Sequence, residues 1–289
     1  MSSSGLKTTN FQIMTELNKQ QELSITDETA IAYSTCYVQC GDNLELLKSQ
    51  PNESVNMIYC DILYGTGRNF GEYQDLKPIR SEIESHYLPR LIEMKRVLKQ
   101  NGSIYLQMDY KISHWIRCLM DDVFGYDNFV NEIIWCYTMP NNNKRRFNAK
   151  HDNILMYSKG KDYVFNWQSV LTEYSESSKE RGKYGSNSMM GKADSPLSKN
   201  GGKIMEDWMV IHTLKGNSKE YAKYPTQKPK ELISRFVLAS TNEGDVVADY
   251  YLGSGTTAKV CQELNRKFIG CDLNPKAIEI TKARLNGGQ

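Results

Sequence analysis

Along most of this chain, short runs of β-branched and aromatic residues alternate with stretches in which apolar residues recur every three or four positions. The runs Val55 to Cys60, Ser103 to Met108, Ile133 to Tyr137, Asn153 to Tyr157, Val246 to Asp249 and Lys267 to Cys271 read as strands, preceded by a shorter one at Tyr37-Val38-Gln39. Between them, helical spacing appears at Leu44, Leu46 and Leu47, and again from Ser81 to Lys99 through Ile83, Tyr87, Leu91, Met94 and Val97, stopping at Asn101-Gly102. Residues 111–124, 230–241, 256–265 and 275–285 carry the same pattern. Strands alternating with helices predict an α/β fold: a doubly wound, mostly parallel sheet with helices on both faces.

The pattern breaks in one place. From 168 to 223 Ser, Lys, Gly and Asn dominate, and apolar residues are sparse until Ile204 to Leu214. We expect a variable insertion there, a recognition region rather than core. The expected organisation is a tail and lead-in over 1–30, a first half-domain over 31–167, the insertion over 168–223, and the second half of the same domain over 224–289.

Composition narrows the class. With 289 residues, 39% of them hydrophobic, the chain can bury a substantial core, and no apolar stretch approaches transmembrane length. Its start lacks a signal-peptide pattern. The seven cysteines include no CxxC pair and there are only four histidines, so no metal is expected and the thiols fit a reducing cytoplasm. Net charge is only +2, so any nucleic-acid contact must come from local basic clusters.

Two loops carry the chemistry. Asp249-Tyr250-Tyr251-Leu252-Gly253-Ser254-Gly255 runs into a helix start at Thr256-Thr257, a glycine-rich turn where backbone closely approaches a ligand. The strand after that helix ends in Asp272, an acid about twenty residues beyond the glycines, the position that accepts hydrogen bonds from ribose hydroxyls in dinucleotide-type folds. A third glycine is missing and no Lys follows, which disfavours NAD and ATP; S-adenosylmethionine fits. The other loop, Asp61-Ile62-Leu63-Tyr64-Gly65-Thr66-Gly67, ends a strand with a carboxylate and an aromatic ring. Acid plus aromatic suits a flat, polar substrate.

With these segments in this order, the chain resembles the β-class DNA amino-methyltransferases, whose catalytic D-P-P-Y segment precedes the cofactor F-x-G-x-G segment. Further landmarks match in order: Gly41-Asp42, Arg96-Val97-Leu98-Lys99, Ile133-Ile134-Trp135, Lys150-His151-Asp152, Tyr224-Pro225-Thr226-Gln227-Lys228-Pro229 and Asp272-Leu273-Asn274. The resemblance implies S-adenosylmethionine cradled by Asp249 to Gly255, with Asp272 at the ribose, Thr226 and Lys228 completing the pocket near the carboxylate, and Thr256, Thr257 and Asn274 among the cofactor-binding residues. It implies double-stranded DNA as substrate, a homodimer, and a restriction–modification setting with a possible cognate endonuclease. Asp61 and the Ile62 carbonyl would accept the two N–H bonds of an exocyclic amine, and Tyr64 would stack on a base flipped from the duplex.

Asp at the first position favours adenine N6, with cytosine N4 the alternative. Cytosine C5 chemistry is disfavoured because no proline precedes a cysteine. Ile62-Leu63 stands where the family has two prolines. Proline fixes φ and pre-organises the loop carbonyl, so a second alternative is a catalytically impaired DNA- or cofactor-binding relative. Lys144, Arg145 and Arg146, with Lys150 beyond Phe147, form a basic cluster suited to phosphates.

Overall fold

Val55–Asp61 and Val246–Asp249 lie side by side as parallel strands within one eight-stranded sheet. An apolar run without alternation needs cover on both faces, which is the condition that helices above and below a parallel sheet provide. The structure, a computed structural model, describes residues 36–68, 75–138, 144–174 and 202–287. The expected tail over 1–30 and residues 175–201 of the insertion lie outside the described residues.

In chain order the elements are β1 (Cys36–Cys40), α1 (Asn43–Ser49), β2 (Val55–Asp61), α2 (Arg80–Val97), β3 (Leu98–Asp109), α3 (Tyr110–Phe124), β4 (Phe129–Cys136) and β5 (His151–Ser158). There follow β6 (Leu171–Thr172), β7 (Lys203–Ile204), β8 (Trp208–Val210), α4 (Lys230–Ser240), β9 (Val246–Asp249), α5 (Thr256–Glu263), β10 (Lys267–Asp272) and α6 (Pro275–Leu285). The sheet order is β1-β10-β9-β2-β3-β5-β4-β8. From β1 to β3 all neighbours are parallel; β5 is antiparallel to both β3 and β4, and β8 is parallel to β4.

The winding reverses between β2 and β9. Chain order proceeds outward through β3 on one side and through β10 on the other, which opens a crevice at the carboxyl ends of the central strands. Asp61, Asp249 and Asp272 end β2, β9 and β10 at that edge. Because β5 runs the other way, it begins at the same edge, with Asp152 opposite Asp109 at the end of β3.

Side-chain caps set several helix starts at this edge. Asp42 accepts from Leu44 N at 2.7 Å, Asp109 from Lys111 N at 2.8 Å and Asn274 from Lys276 N at 2.9 Å. Pro275 follows Asn274 at the first helical position, where a missing N–H costs nothing. Under α4, Phe236 stacks on Tyr105 with ring centroids 4.8 Å apart, and the Tyr105 hydroxyl meets Ser240 Oγ at 2.7 Å.

The end of the expected insertion proves to be sheet and core. β8 is the edge strand: Ile134 N donates to Asp207 O at 2.8 Å, and Trp135 Nε1 donates to Ile211 O at 2.8 Å. Met209 and Ile211 are buried in the core cluster while Trp208 and Val210 are exposed, the period-two alternation of a strand with one covered face. β6 and β7 pair with each other in a separate two-stranded ribbon on either side of residues 175–201.

Candidate active site

The loop after β2 is held at nearly every residue. Ile62 N donates to Gln107 O at 3.0 Å, extending the β2–β3 ladder by one bond. Tyr87 on α2 donates its hydroxyl to Leu63 O at 3.1 Å. Asp75, buried, takes Gly65 N at 3.1 Å on one oxygen and Thr66 N at 2.7 Å on the other. Gly65, at φ 62°, turns the chain where a β-carbon would press on Ile112 and Ile83 at 3.1–3.2 Å. Among the described residues no donor reaches the Ile62 carbonyl, so it is left as an acceptor. Hydrogen bonds thus fix the path that two prolines would have fixed by ring closure.

Asp61 sits at the centre of this edge. One of its oxygens, Oδ2, forms an ion pair with Lys228 Nζ, and Oδ1 accepts from the Tyr64 hydroxyl at 2.9 Å. The same hydroxyl lies 2.7 Å from Asp152 Oδ2. Burial raises the Asp61 carboxyl above the usual range, opposed by the Lys228 charge. Burial, then the charges of Asp61 and Asp152, hold the Tyr64 phenol far above its ordinary value, so it remains a protonated donor.

A cleft opens beside Asp61, lined by Tyr59, Asp61, Tyr224, Thr226, Lys228, Ile233, Asp249, Tyr251, Leu252, Gly253, Ser254, Thr256 and Thr257. Asp249 accepts from Thr257 Oγ1 at 2.6 Å and from Tyr251 N at 3.1 Å, and burial pushes its carboxyl up to about 7. Asp272 accepts from Gly253 N at 2.8 Å and Asn274 N at 2.9 Å, tying the glycine turn to the end of β10. Gly255 starts α5 at φ 74°, and a β-carbon there would collide with buried Thr281. Arg284 donates to Ser254 O at 2.6 Å from beneath.

Eight of the cofactor residues expected from sequence line this cleft: Asp249, Tyr251, Gly253, Ser254, Thr256, Thr257, Thr226 and Lys228. Four do not. The Tyr250 side chain points into the protein and donates to Gln50 Oε1 at 2.9 Å, so it is not part of the cleft lining. Gly255 is the left-handed cap of α5, Asn274 is a buried helix cap, and Asp272 stands behind the glycine turn. Sequence reading missed the apolar lining at Tyr59 and Ile233, and it missed His86; Leu252 lies within the segment it expected to cradle the cofactor. The His86 Nε2 lies 3.2 Å from the Tyr251 hydroxyl, and burial with the nearby Arg90 charge lowers its pKa to about 4, leaving it neutral.

The basic cluster rises from the same edge of the sheet. Tyr137 N donates to Lys150 O at 3.0 Å, closing the β4–β5 connection beside Asp152. Lys144, Arg145 and Arg146 are exposed on it, Lys150 is half-buried, and Phe147 is fully exposed. Acid, aromatic ring, cleft and cations therefore share one rim.

Comparison with known proteins places the chain in a family. Residues 55–283 match the N6/N4 family described as DNA methylase. The chain is 34% identical over 253 residues to the type II methyltransferase M.HpaI of Haemophilus parainfluenzae, covering 86% of this chain and 73% of that protein. It is 31% identical over 251 residues to the DNA adenine methyltransferase YhdJ of Escherichia coli K12, covering 85% and 81%. Among solved structures, the complex of M1.HpyAVI with S-adenosylmethionine superposes with a TM-score of 0.57 at 22% identity, over 87% of this chain and 99% of that one, which speaks to the fold. A match across most of the chain, with a relative above 30% identity, makes this chain a member of the N6/N4 DNA methylase family.

Proposed function

We propose that this protein is a site-specific DNA methyltransferase that uses S-adenosylmethionine to methylate the N6 amine of adenine. The carrying observation is the Lys228 side chain, which lines the cleft and at the same time pairs with Asp61, so that cofactor site and base site adjoin. The cleft suits the cofactor: Tyr59, Ile233 and Leu252 offer apolar wall, Lys228 a cation for a carboxylate, and the glycine turn a wall free of side chain. Bound there, S-adenosylmethionine supplies an electrophilic methyl group on a sulfonium centre.

The chain's own residues prepare the amine. Its lone pair is delocalised into the purine ring, which makes it a poor nucleophile. Asp61 Oδ1 or Oδ2 accepts one N–H and the Ile62 carbonyl the other, favouring a pyramidal nitrogen and stabilising the positive charge that develops there. Tyr64 stacks on the extruded base, since the amine is out of reach inside the duplex. Lys144, Arg145, Arg146 and Lys150 neutralise phosphates. Relatives named as type II methyltransferases support a restriction–modification role, with a cognate endonuclease and a homodimer as further expectations. Among the described residues no helix is long and apolar enough to cross a membrane.

The test is transfer of labelled methyl from S-adenosylmethionine to unmethylated genomic DNA, followed by digestion to nucleosides, with Asp61→Ala in parallel. Label in N6-methyladenine that disappears in the variant is the expected result. Label in N4-methylcytosine would keep the mechanism and overturn the base assignment. Cofactor binding with no transfer would overturn the enzymatic reading.

A further inference from the structure

Asp152 has no role in the mechanism above, yet three side-chain donors converge on it. It is buried, 4% exposed, and among the described residues it forms no ion pair. Instead its Oδ2 accepts from the Tyr64 hydroxyl at 2.7 Å and from Gln107 Nε2 at 2.9 Å, and its Oδ1 accepts from the Tyr137 hydroxyl at 3.1 Å. Gln107 is itself oriented by the Tyr59 hydroxyl, which donates to its Oε1 at 2.7 Å. A buried carboxylate is costly unless donors converge on it, and here three do.

Tyr64 has one phenolic proton and two carboxylates within reach, Asp61 at 2.9 Å and Asp152 at 2.7 Å. They are not equivalent. Asp61 is the acid that the amine must occupy; Asp152 sits behind it, at the start of β5, fully engaged with protein donors. When Asp61 turns to the amine it stops being an acceptor for Tyr64, and the ring would lose its anchor unless a second acceptor remained.

We propose that Asp152 is a positioning residue that holds the Tyr64 ring in place to stack on the target base, keeping the phenolic hydrogen bond while Asp61 serves the amine. The inference rests on the base-binding roles given above to Asp61 and Tyr64. It assigns the Tyr59–Gln107–Asp152–Tyr64 chain to alignment of the aromatic platform, and none of these contacts to cofactor binding.

The test is a double-mutant cycle with Asp152→Ala, Tyr64→Phe and the two together, plus the near-isosteric Asp152→Asn. Asp152→Ala is expected to lower kcat about 10- to 100-fold, the cost of a small misplacement of a reacting group, with little change in KM for S-adenosylmethionine. Asp152→Asn keeps an oxygen for Tyr64 and Gln107 and offers an amide to the Tyr137 oxygen, so it should recover most of that loss. In the Tyr64→Phe background, Asp152→Ala should cost less than about 3-fold, because the bond it breaks is already gone. Equal losses in both backgrounds, or no recovery with Asn, overturn the proposal. A crystal structure of Asp152→Ala with adenine bound against Asp61 decides the same point without turnover: Tyr64 displaced from its wild-type position supports it, and Tyr64 unmoved overturns it. Wild-type protein that transfers no methyl group would instead sink the functional reading, and the variant structure would still judge the positioning role.

Discussion

Proline at position 62 is the substitution that family resemblance recommends and the structure advises against. Ile62→Pro deletes the N–H that donates to Gln107 O at 3.0 Å, and that carbonyl lies inside the sheet where no water replaces the donor. An unsatisfied buried acceptor costs about 1–3 kcal/mol. Ile62 is 2% exposed, so exchanging its branched chain for a smaller ring removes packing worth about 1 kcal/mol more. Against this, proline restricts the unfolded chain, a gain of about 0.4–1 kcal/mol. The balance is a loss of about 1–3 kcal/mol. Leu63→Pro lacks the first term, because the Leu63 N–H makes no hydrogen bond among the described residues. Equilibrium urea unfolding of both single variants measures the difference, read from midpoints at constant slope. Methyl transfer should fall in Ile62→Pro and in the Pro-Pro double variant. A double variant that is more stable and faster than wild type would refute the reasoning and revive the view that this loop is under-organised.

Three other outcomes follow from particular contacts. Burial raises Asp249 to about 7 in the folded protein, above its unfolded value near 4, so its contribution to stability is complete below about pH 4 and is lost as pH rises through about 7. Asp249→Asn, which stays neutral, should therefore gain stability relative to wild type between pH 5 and pH 8 in urea titrations; a pH-independent difference contradicts the assignment. Replacing Lys144, Arg145 and Arg146 together by Ala should weaken DNA binding at every sequence and lower the log–log salt slope by about 2–3, as measured by fluorescence anisotropy across a salt series. An unchanged slope would remove the basic cluster from the DNA interface. Met209→Ala should cost about 2–3 kcal/mol, because Met209 is buried in the core of the sheet, whereas exposed Trp208→Ala should stay within about 0.5 kcal/mol; equal effects would argue against β8 as an edge strand.

What was legible in the sequence was whatever acts through local backbone geometry. The helix expected over 275–285 is Pro275–Leu285, because the Asn-Pro start and its apolar spacing lie within a dozen residues. The glycine turn was legible for the same reason, since Gly253 and Gly255 announce positive φ directly. Edge strand β8 was not. In Trp-Met-Val-Ile all four residues are apolar, so the alternation that distinguishes Met209 from Val210 exists only in three dimensions. Tyr250 and Tyr251 pose the same problem, because adjacent tyrosines beyond a strand end leave open which one faces the cleft.

The supports of the catalytic loop were hidden for a different reason: they come from afar. Tyr87 reaches Leu63 O from α2, the helix that leads from β2 to β3, and Asp152 reaches Tyr64 because β5 runs antiparallel and begins where β3 ends. Motif reading looks for stiffness in the loop's own residues, and at Ile62-Leu63 it finds none. The sheet register supplies that stiffness instead, through Gln107 O beneath Ile62 and Asp152 behind Tyr64. Replacing the two prolines thus shifts the control of loop geometry from local φ restriction to hydrogen bonds with β3, β5 and α2. On that account, substitutions in those supporting elements should affect methyl transfer more severely here than in relatives that keep both prolines.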